Sequence, residues 1–239
     1  MTERPVIGIS LDWAESGSFS ARPHYALREH YFQAVEAAGG RAIGLPRSDL
    51  PLSEALHGVD GLLIPGGGFA SPPDWYADPE EPAPYEESPR LAHDLKLIEH
   101  ALQTRLPMLG ICAGMQLLAG VLGCRMTRNV MNFTGTDIDH WGAGPAEDPV
   151  HDIWIEPESR LAGICGDDPL PVNTAHREAV VAVPPDVIIS ARSPDGVIEA
   201  IEAEQHPHAI GVQWHPEFHT TLGDRHLALF QWLVQAAKS

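Results

Sequence analysis

Basic residues are scarce in this chain: fifteen Lys and Arg stand against thirty-three Asp and Glu, a formal charge of −18. Such a field repels phosphate backbones and anionic membrane surfaces, so neither nucleic acid nor membrane is an expected partner. Cysteine is scarcer still. Cys112, Cys124 and Cys165 are odd in number and show no Cys-x-x-Cys spacing, which argues against a disulfide framework and against a thiolate zinc site. A reducing compartment suits them. No apolar run approaches the ~18 residues needed to span a bilayer, and the start, MTERPVIGISLDW, lacks the basic and apolar stretches of a signal peptide. The expected location is cytoplasmic.

Linkers, internal repeats and low-complexity tracts are also missing, so residues 1–239 read as one domain. With 44% hydrophobic and 20% charged residues the chain is ordinary globular material, long enough to bury a core without staples. Short apolar runs alternate with helical spacing in the first half. VIGISL (6–11), RAIGLP (41–46), GLLIPG (61–66) and LPMLGI (106–111) read as buried strands. Residues 24–40 place Leu27, Tyr31, Val35 and Ala38 at helical spacing and close on glycines. Residues 88–105 open with Ser-Pro and put Leu91, Leu95, Ile98 and Leu102 on one face. A short helix near 53–57 and a last one over 224–237 complete the helices. The expected fold is α/β, a mainly parallel sheet flanked by helices. Beyond residue 125 shorter β-like runs (DIWIEP, AVVAV, VIISARS, VIEAIEAE, AIGVQWHP) predict a small mixed or antiparallel β extension.

The sharpest local signal is GICAG. A buried strand runs into Gly110-Ile111-Cys112-Ala113-Gly114 and on into an apolar helix, the pattern of a nucleophile elbow. The glycines on either side tolerate a crowded turn, and the helix N-terminus favours the thiolate. A second signal lies about a hundred residues on, in GVQWHPEF. Proline after His215 is expected to hold that residue extended, so that Glu217 projects to the same side and reaches the imidazole. A carboxylate on one ring nitrogen frees the other to take a thiol proton. Cys112, His215 and Glu217 are therefore the expected nucleophile, base and orienter.

Together these motifs resemble the class I glutamine amidotransferase family, whose Gly-x-Cys-x-Gly-x-Gln pattern stands complete as Gly110, Cys112, Gly114 and Gln116. The resemblance covers nearly the whole chain and implies a flavodoxin-like sheet. It also implies an oxyanion hole from the backbone N–H groups of Gly67, in IPGGGF, and Ala113. Within the family the chain looks most like the γ-glutamyl-γ-aminobutyrate hydrolases. PVNTAHREAV matches their Val-Asn-Ser-x-His segment at Val172, Asn173 and His176, and ISARSPDGVIEAIE matches a second segment at Asp195, Gly196 and Glu199. By that resemblance Gln116, His176 and Asn173 are candidate substrate-binding residues. Ala113 and Ala119 stand where those hydrolases usually have arginine and asparagine, so the substrate pocket is not expected to be identical.

The implied reaction is hydrolysis of a small γ-glutamyl amide, of the γ-aminobutyrate or polyamine type, through a cysteine thioester. One alternative is a glutaminase that feeds ammonia to a separate synthase; another is a binding protein that keeps the fold. For the hydrolase reading the partners envisaged are the small-molecule substrate and a second copy in a homodimer. No cofactor is implied. Thirteen histidines raise the question of a metal, and His206 and His208 share a strand face, but no HExxH-like spacing occurs and no metal site is expected. The loop 69–88 is rich in proline. It carries Asp74, Asp78, Glu80, Glu81, Glu86 and Glu87 with Trp75, Tyr76 and Tyr85, and has no Lys or Arg between residues 69 and 88. It is expected to cover the nucleophile and to suit a cationic or apolar leaving amine.

Overall fold

A computed structural model describes residues 3–17, 19–68, 71–77, 88–135, 138–142, 144–221 and 224–238. The chain opens on β1 (Val6–Ser10), buried along its whole length, then turns through a small antiparallel hairpin, β2 (Asp12–Ala14) against β3 (His24–Ala26). Helix α1 (Glu29–Ala37) follows, then β4 (Arg41–Leu45), the one-turn α2 (Leu52–Ala55) and β5 (Gly61–Ile64). The long α3 (Pro89–Thr104) has the start its sequence implies: the Arg90 N–H donates to the Ser88 hydroxyl and proline occupies the first turn, where its missing N–H costs nothing. Next come β6 (Met108–Ile111), α4 (Ala113–Val121), β7 (Arg125–Thr127) and α5 (Val130–Thr134). The rest is β8 (His151–Ile155), α6 (Arg160–Cys165), β9 (Leu170–Val172), β10 (Ala179–Ala182), β11 (Val187–Arg192), β12 (Ile198–Ala203), β13 (Ala209–Val212) and α7 (Leu227–Ala236).

Nine strands form one sheet in the order β4-β1-β5-β6-β13-β12-β11-β8-β9. The first five are mutually parallel, and from β12 onward the pairing is antiparallel. Strand alternation sorts the side chains between two cores. Ile7, Ile9, Leu63 and Leu109 face α1 and α7, where Tyr31, Val35, Phe230 and Leu233 are buried. Leu62, Ile64 and Met108 face α3 and α4, against Leu97, Ile98, Leu117 and Leu118. Burial on both faces explains why these strands read as continuous apolar runs; each such side chain contributes about 1.5–3 kcal/mol relative to exposure.

One expectation needs correction. The helical reading of 24–40 begins too early, because His24–Ala26 is extended and pairs with Asp12–Ala14, and the helix starts only at Glu29. Pairing with a distant strand outweighs the periodicity of three residues. The β extension is antiparallel, as expected. β12, β11, β8 and β9 continue the main sheet from β13, and only β7 and β10 pair apart from it. Among the described residues no helix is long and apolar enough to cross a membrane.

Candidate active site

β1, β5, β6 and β13 are neighbours and run parallel, so the segments that follow them emerge at one edge of the sheet. That edge carries Asp12, Gly66 and Gly67, Cys112, and His215. A cavity of about 560 Å³ opens there, lined by Asp12, Trp13, Ala14, Ala26, Leu27, Arg28, Tyr31, Gly66, Gly67, Gly68, Cys112, Ala175 and His215.

Cys112 occupies a backbone conformation that side-chain-bearing residues rarely adopt, with φ 52° and ψ −106°. Strain of this kind costs on the order of 1–3 kcal/mol and persists only where the surroundings enforce it. They do. The Cys112 N–H donates to the Val212 carbonyl at 2.8 Å, and its own carbonyl accepts from Gln116 N–H at 3.1 Å as α4 begins. The flanking glycines are required by space: a Cβ on Gly114 would lie 2.0 Å from the Ile64 carbonyl oxygen, and one on Gly110 would lie 2.6 Å from that of Gly114.

His215 faces Cys112 with one edge and Glu217 with the other; its Nδ1 lies 2.7 Å from Glu217 Oε1. The route to this contact differs from the expected one. His215 sits at φ −110°, ψ 81°, outside the extended region, and Pro216–Phe218 forms a 3-10 turn that swings Glu217 back onto the ring. Proline at the first position of that turn supplies the bend. Asn173 fixes the base from behind, its Oδ1 accepting from His215 N–H at 2.8 Å and its Nδ2 donating to the His215 carbonyl at 2.9 Å.

The electrostatics favour a thiolate–imidazolium pair. Burial alone would push the Cys112 thiol up, but the His215 charge and hydrogen bond, with His176 nearby, hold it below its ordinary value. Burial would likewise lower His215, and Glu217 and Cys112 reverse this and raise it. Glu217, which burial would raise, is held down by His215. Burial pushes Cys124 up to about 12, and Cys165 to about the same value despite the Arg225 charge nearby. They are inert thiols by comparison.

Three residues around this pair carry no local sequence motif. Arg28 Nη2 donates to Glu217 Oε1 at 3.2 Å and to the Tyr31 hydroxyl at 2.9 Å. That hydroxyl accepts the Gly66 N–H at 3.1 Å, and burial together with Glu217 keeps the phenol neutral by raising it well above its ordinary range. Arg90, fully buried on α3, donates to the Pro65 carbonyl at 2.6 Å, to the Gly66 carbonyl at 2.8 Å and to Asp94 at 3.0 Å. In a trans peptide the carbonyl and the following N–H point opposite ways. Arg90 therefore turns the N–H groups of Gly66 and Gly67 away from itself; Tyr31 takes the first, and Gly67, which lines the cavity with Cys112, presents the second. Ala113 is the first residue of α4, so its N–H is one of the helix's intrinsically unpaired donors. Gly67 and Cys112 thus line one cavity, and Ala113 follows Cys112 directly in the chain.

The candidate substrate residues are placed differently. Asn173 is engaged with His215 and with the Ala146 carbonyl, and Gln116 Nε2 donates to the Glu178 carbonyl at 2.9 Å and to Gln213 at 3.2 Å. Neither lines the cavity. His176 is buried, with Nδ1 on the Glu178 carbonyl, and Ala175 rather than His176 reaches the cavity wall. The wall that the structure does show is the β2–β3 hairpin, through Asp12–Ala14 and Ala26. Of the acidic loop, Asp78, Glu80, Glu81, Tyr85, Glu86 and Glu87 lie outside the described residues. Its Trp75 packs on α4 so closely that a Cβ on Gly120 would meet the indole at 2.1 Å, and Tyr76 is buried against Ser71 and Glu178. These two aromatics belong to the body of the protein.

Comparison with known proteins identifies the family and the fold. The peptidase C26 family model matches residues 5–217. A glutamine amidotransferase-like protein of Rickettsia prowazekii is 31% identical over 280 residues, covering 100% of this chain and 99% of that one. The γ-glutamyl-γ-aminobutyrate hydrolase of Escherichia coli O157:H7 is 30% identical, covering 98% and 94%. A solved structure from Thermoplasma acidophilum, described as belonging to a GMP synthase, superposes with a TM-score of 0.66 at 19% identity, over 100% of this chain and 96% of that one. The fold is that of the class I glutamine amidotransferases, and the chain belongs to the peptidase C26 family.

Proposed function

We propose that this protein hydrolyses the γ-glutamyl amide bond of a small γ-glutamyl amine, releasing glutamate and the amine. The observation that carries the reading is the strained Cys112, its thiolate favoured by the His215 charge that Glu217 in turn supports, at the wall of an open cavity. The thiolate attacks the γ-carbonyl carbon and forms a C–S bond, while the carbonyl oxygen takes up the negative charge between the N–H groups of Gly67 and Ala113. His215, as imidazolium, protonates the amide nitrogen, and the C–N bond breaks to leave a thioester. Water then gives a proton to His215 and attacks the thioester, and glutamate departs as the thiolate reforms.

Asp12 and Arg28, about half exposed on the cavity wall (side chains 49% and 51%), present opposite charges that suit the α-ammonium and α-carboxylate of a glutamyl group. Relatives at about 30% identity that are γ-glutamyl-γ-aminobutyrate hydrolases support the substrate class. The test is a hydrolysis screen over γ-glutamyl amides with glutamine included, run on wild type and Cys112→Ala. Release of glutamate from an amine conjugate by the wild type alone is the expected result. Turnover of glutamine only, and only after a second chain is added, would make the protein the glutaminase component of a synthase instead.

A further inference from the structure

Beyond Cys112, and outside the set of residues that line the cavity, four buried side chains converge from four separate segments. His140 follows α5, His151 opens β8, His176 lies between β9 and β10, and Glu199 belongs to β12. His140 Nδ1, His151 Nε2 and His176 Nε2 lie 3.7, 3.8 and 3.7 Å from one oxygen, Glu199 Oε1. At those distances none is a hydrogen bond, and all three nitrogens and both Glu199 oxygens are buried without a hydrogen-bond partner. Burying an ionisable carboxylate in this way is among the most unfavourable arrangements a fold can contain, unless something fills the gap.

The opposite ring nitrogens say what that something is. His140 Nε2 is 2.9 Å from Asp195 Oδ2, and His151 Nδ1 is 3.1 Å from the Asp152 carbonyl. A ring N–H given to a carboxylate or carbonyl leaves the other nitrogen as a lone pair, here aimed into the cluster. That outer hydrogen bond is the usual support of a metal-bound histidine. The ligand atoms of His140, His151 and Glu199 all lie within 4.8 Å of one another, and donors around a tetrahedral zinc are about 3.3 Å apart, so a contraction of about half an ångström at the Glu199 oxygen, and of at most about 1.5 Å between the rings, brings them to ligand spacing.

We propose that His140 Nδ1, His151 Nε2 and Glu199 bind a divalent first-row transition-metal ion at a site distinct from the Cys112 triad. Two imidazoles and a carboxylate suit such an ion better than the all-oxygen preference of Ca²⁺ or Mg²⁺. His176 stands between the two sites, interacting electrostatically with both Glu199 and Cys112. The ion would pin the segment after α5, β8 and β12 together beside Ala175, and with them one wall of the cavity. The proposal is independent of the substrate assignment.

Its test is a calorimetric titration of the full chain with Zn²⁺ after dialysis against a chelator, with Tm read in parallel. One equivalent bound per chain at micromolar or tighter affinity, with a rise in Tm, is the expected result. His151→Gln and Glu199→Gln should each weaken binding at least tenfold, Asp195→Asn should weaken it about 10–100-fold, and Cys112→Ala should bind as wild type does. A folded wild type that takes up no Zn²⁺ would overturn the proposal. So would uptake abolished by Cys112→Ala, which would place the ion on the reactive thiol, or uptake indifferent to Glu199→Gln.

Discussion

At the scale of single residues, chemistry and packing separate cleanly. Replacing the Cys112 thiol removes one atom from a turn held by backbone hydrogen bonds to Val212 and Gln116, so Cys112→Ala should abolish turnover while Tm moves by only a few degrees. Cys124→Ala and Cys165→Ala should stay active. The thiols also differ in titration. Because the Cys112 pKa is depressed, its ionic pairing is fully present above the ordinary thiol pKa of 9.0 and is lost as pH falls through the lowered value. His215 works in the opposite sense: its contribution is present below 6.5 and is lost as pH rises through about 10. Alkylation of the native protein by iodoacetamide should therefore reach its plateau below pH 9 and label Cys112 alone; a midpoint at or above 9 would deny the ion pair. Glu217→Gln keeps an acceptor on His215 but removes the charge, and a loss of turnover of about a hundredfold or more is expected. Wild-type rates across neutral pH would move the orienting role elsewhere.

At the scale of elements, the site depends on how three strand ends are held against one another. Gly114→Ala would drive a Cβ into the Ile64 carbonyl, backbone that cannot step aside, so it should lower stability by about 1–3 kcal/mol and disturb the elbow and the oxyanion segment together. Arg90 acts on the same segment from α3. Arg90→Met preserves much of the buried volume but frees the Pro65 and Gly66 carbonyls, and the Gly66–Gly67 peptide loses its fixed orientation. The expected signature is a fall in kcat of about 10²–10³, as for the loss of an oxyanion donor, with KM little changed; a purely structural arginine would lower Tm and leave kcat per folded molecule alone. Loss of Asp94 as a partner calls for the same measurement, since burial raises that carboxyl to about 6 despite Arg90 beside it.

At the scale of the whole molecule, the charge of −18 sets the long-range field in which substrate arrives. If the leaving amine is cationic, kcat/KM should fall as salt screens that field, and γ-glutamyl-putrescine should be preferred over γ-glutamyl-γ-aminobutyrate at low ionic strength. Neutralising Glu80, Glu81, Glu86 and Glu87 together should then erase the preference. Arg28 on the cavity wall works the other way, so equal efficiencies on the two amides would show that this arginine outweighs the net negative charge of the chain.

Much of this molecule is written in short stretches of sequence. Strands buried on both faces, the Ser88-Pro89 helix start, the Gly110–Gly114 elbow and the His215-Pro216-Glu217 contact are each settled by neighbours a few residues away, where backbone sterics and periodicity act directly. Even there the route can mislead, as the 3-10 turn at Pro216 and the strand at His24–Ala26 show. Tertiary structure alone decided what has no local spacing. Arg28 and Tyr31 reach Glu217 from nearly two hundred residues away, Arg90 reaches a loop more than twenty residues before it, and Asn173 clamps the base it was expected to serve only as a neighbour on the substrate. His140, His151 and Glu199 converge from three segments that no motif links. Their proximity is a property of the strand order, which brings β8 and β12 to either side of β11, and strand order is fixed by the packing of the whole sheet.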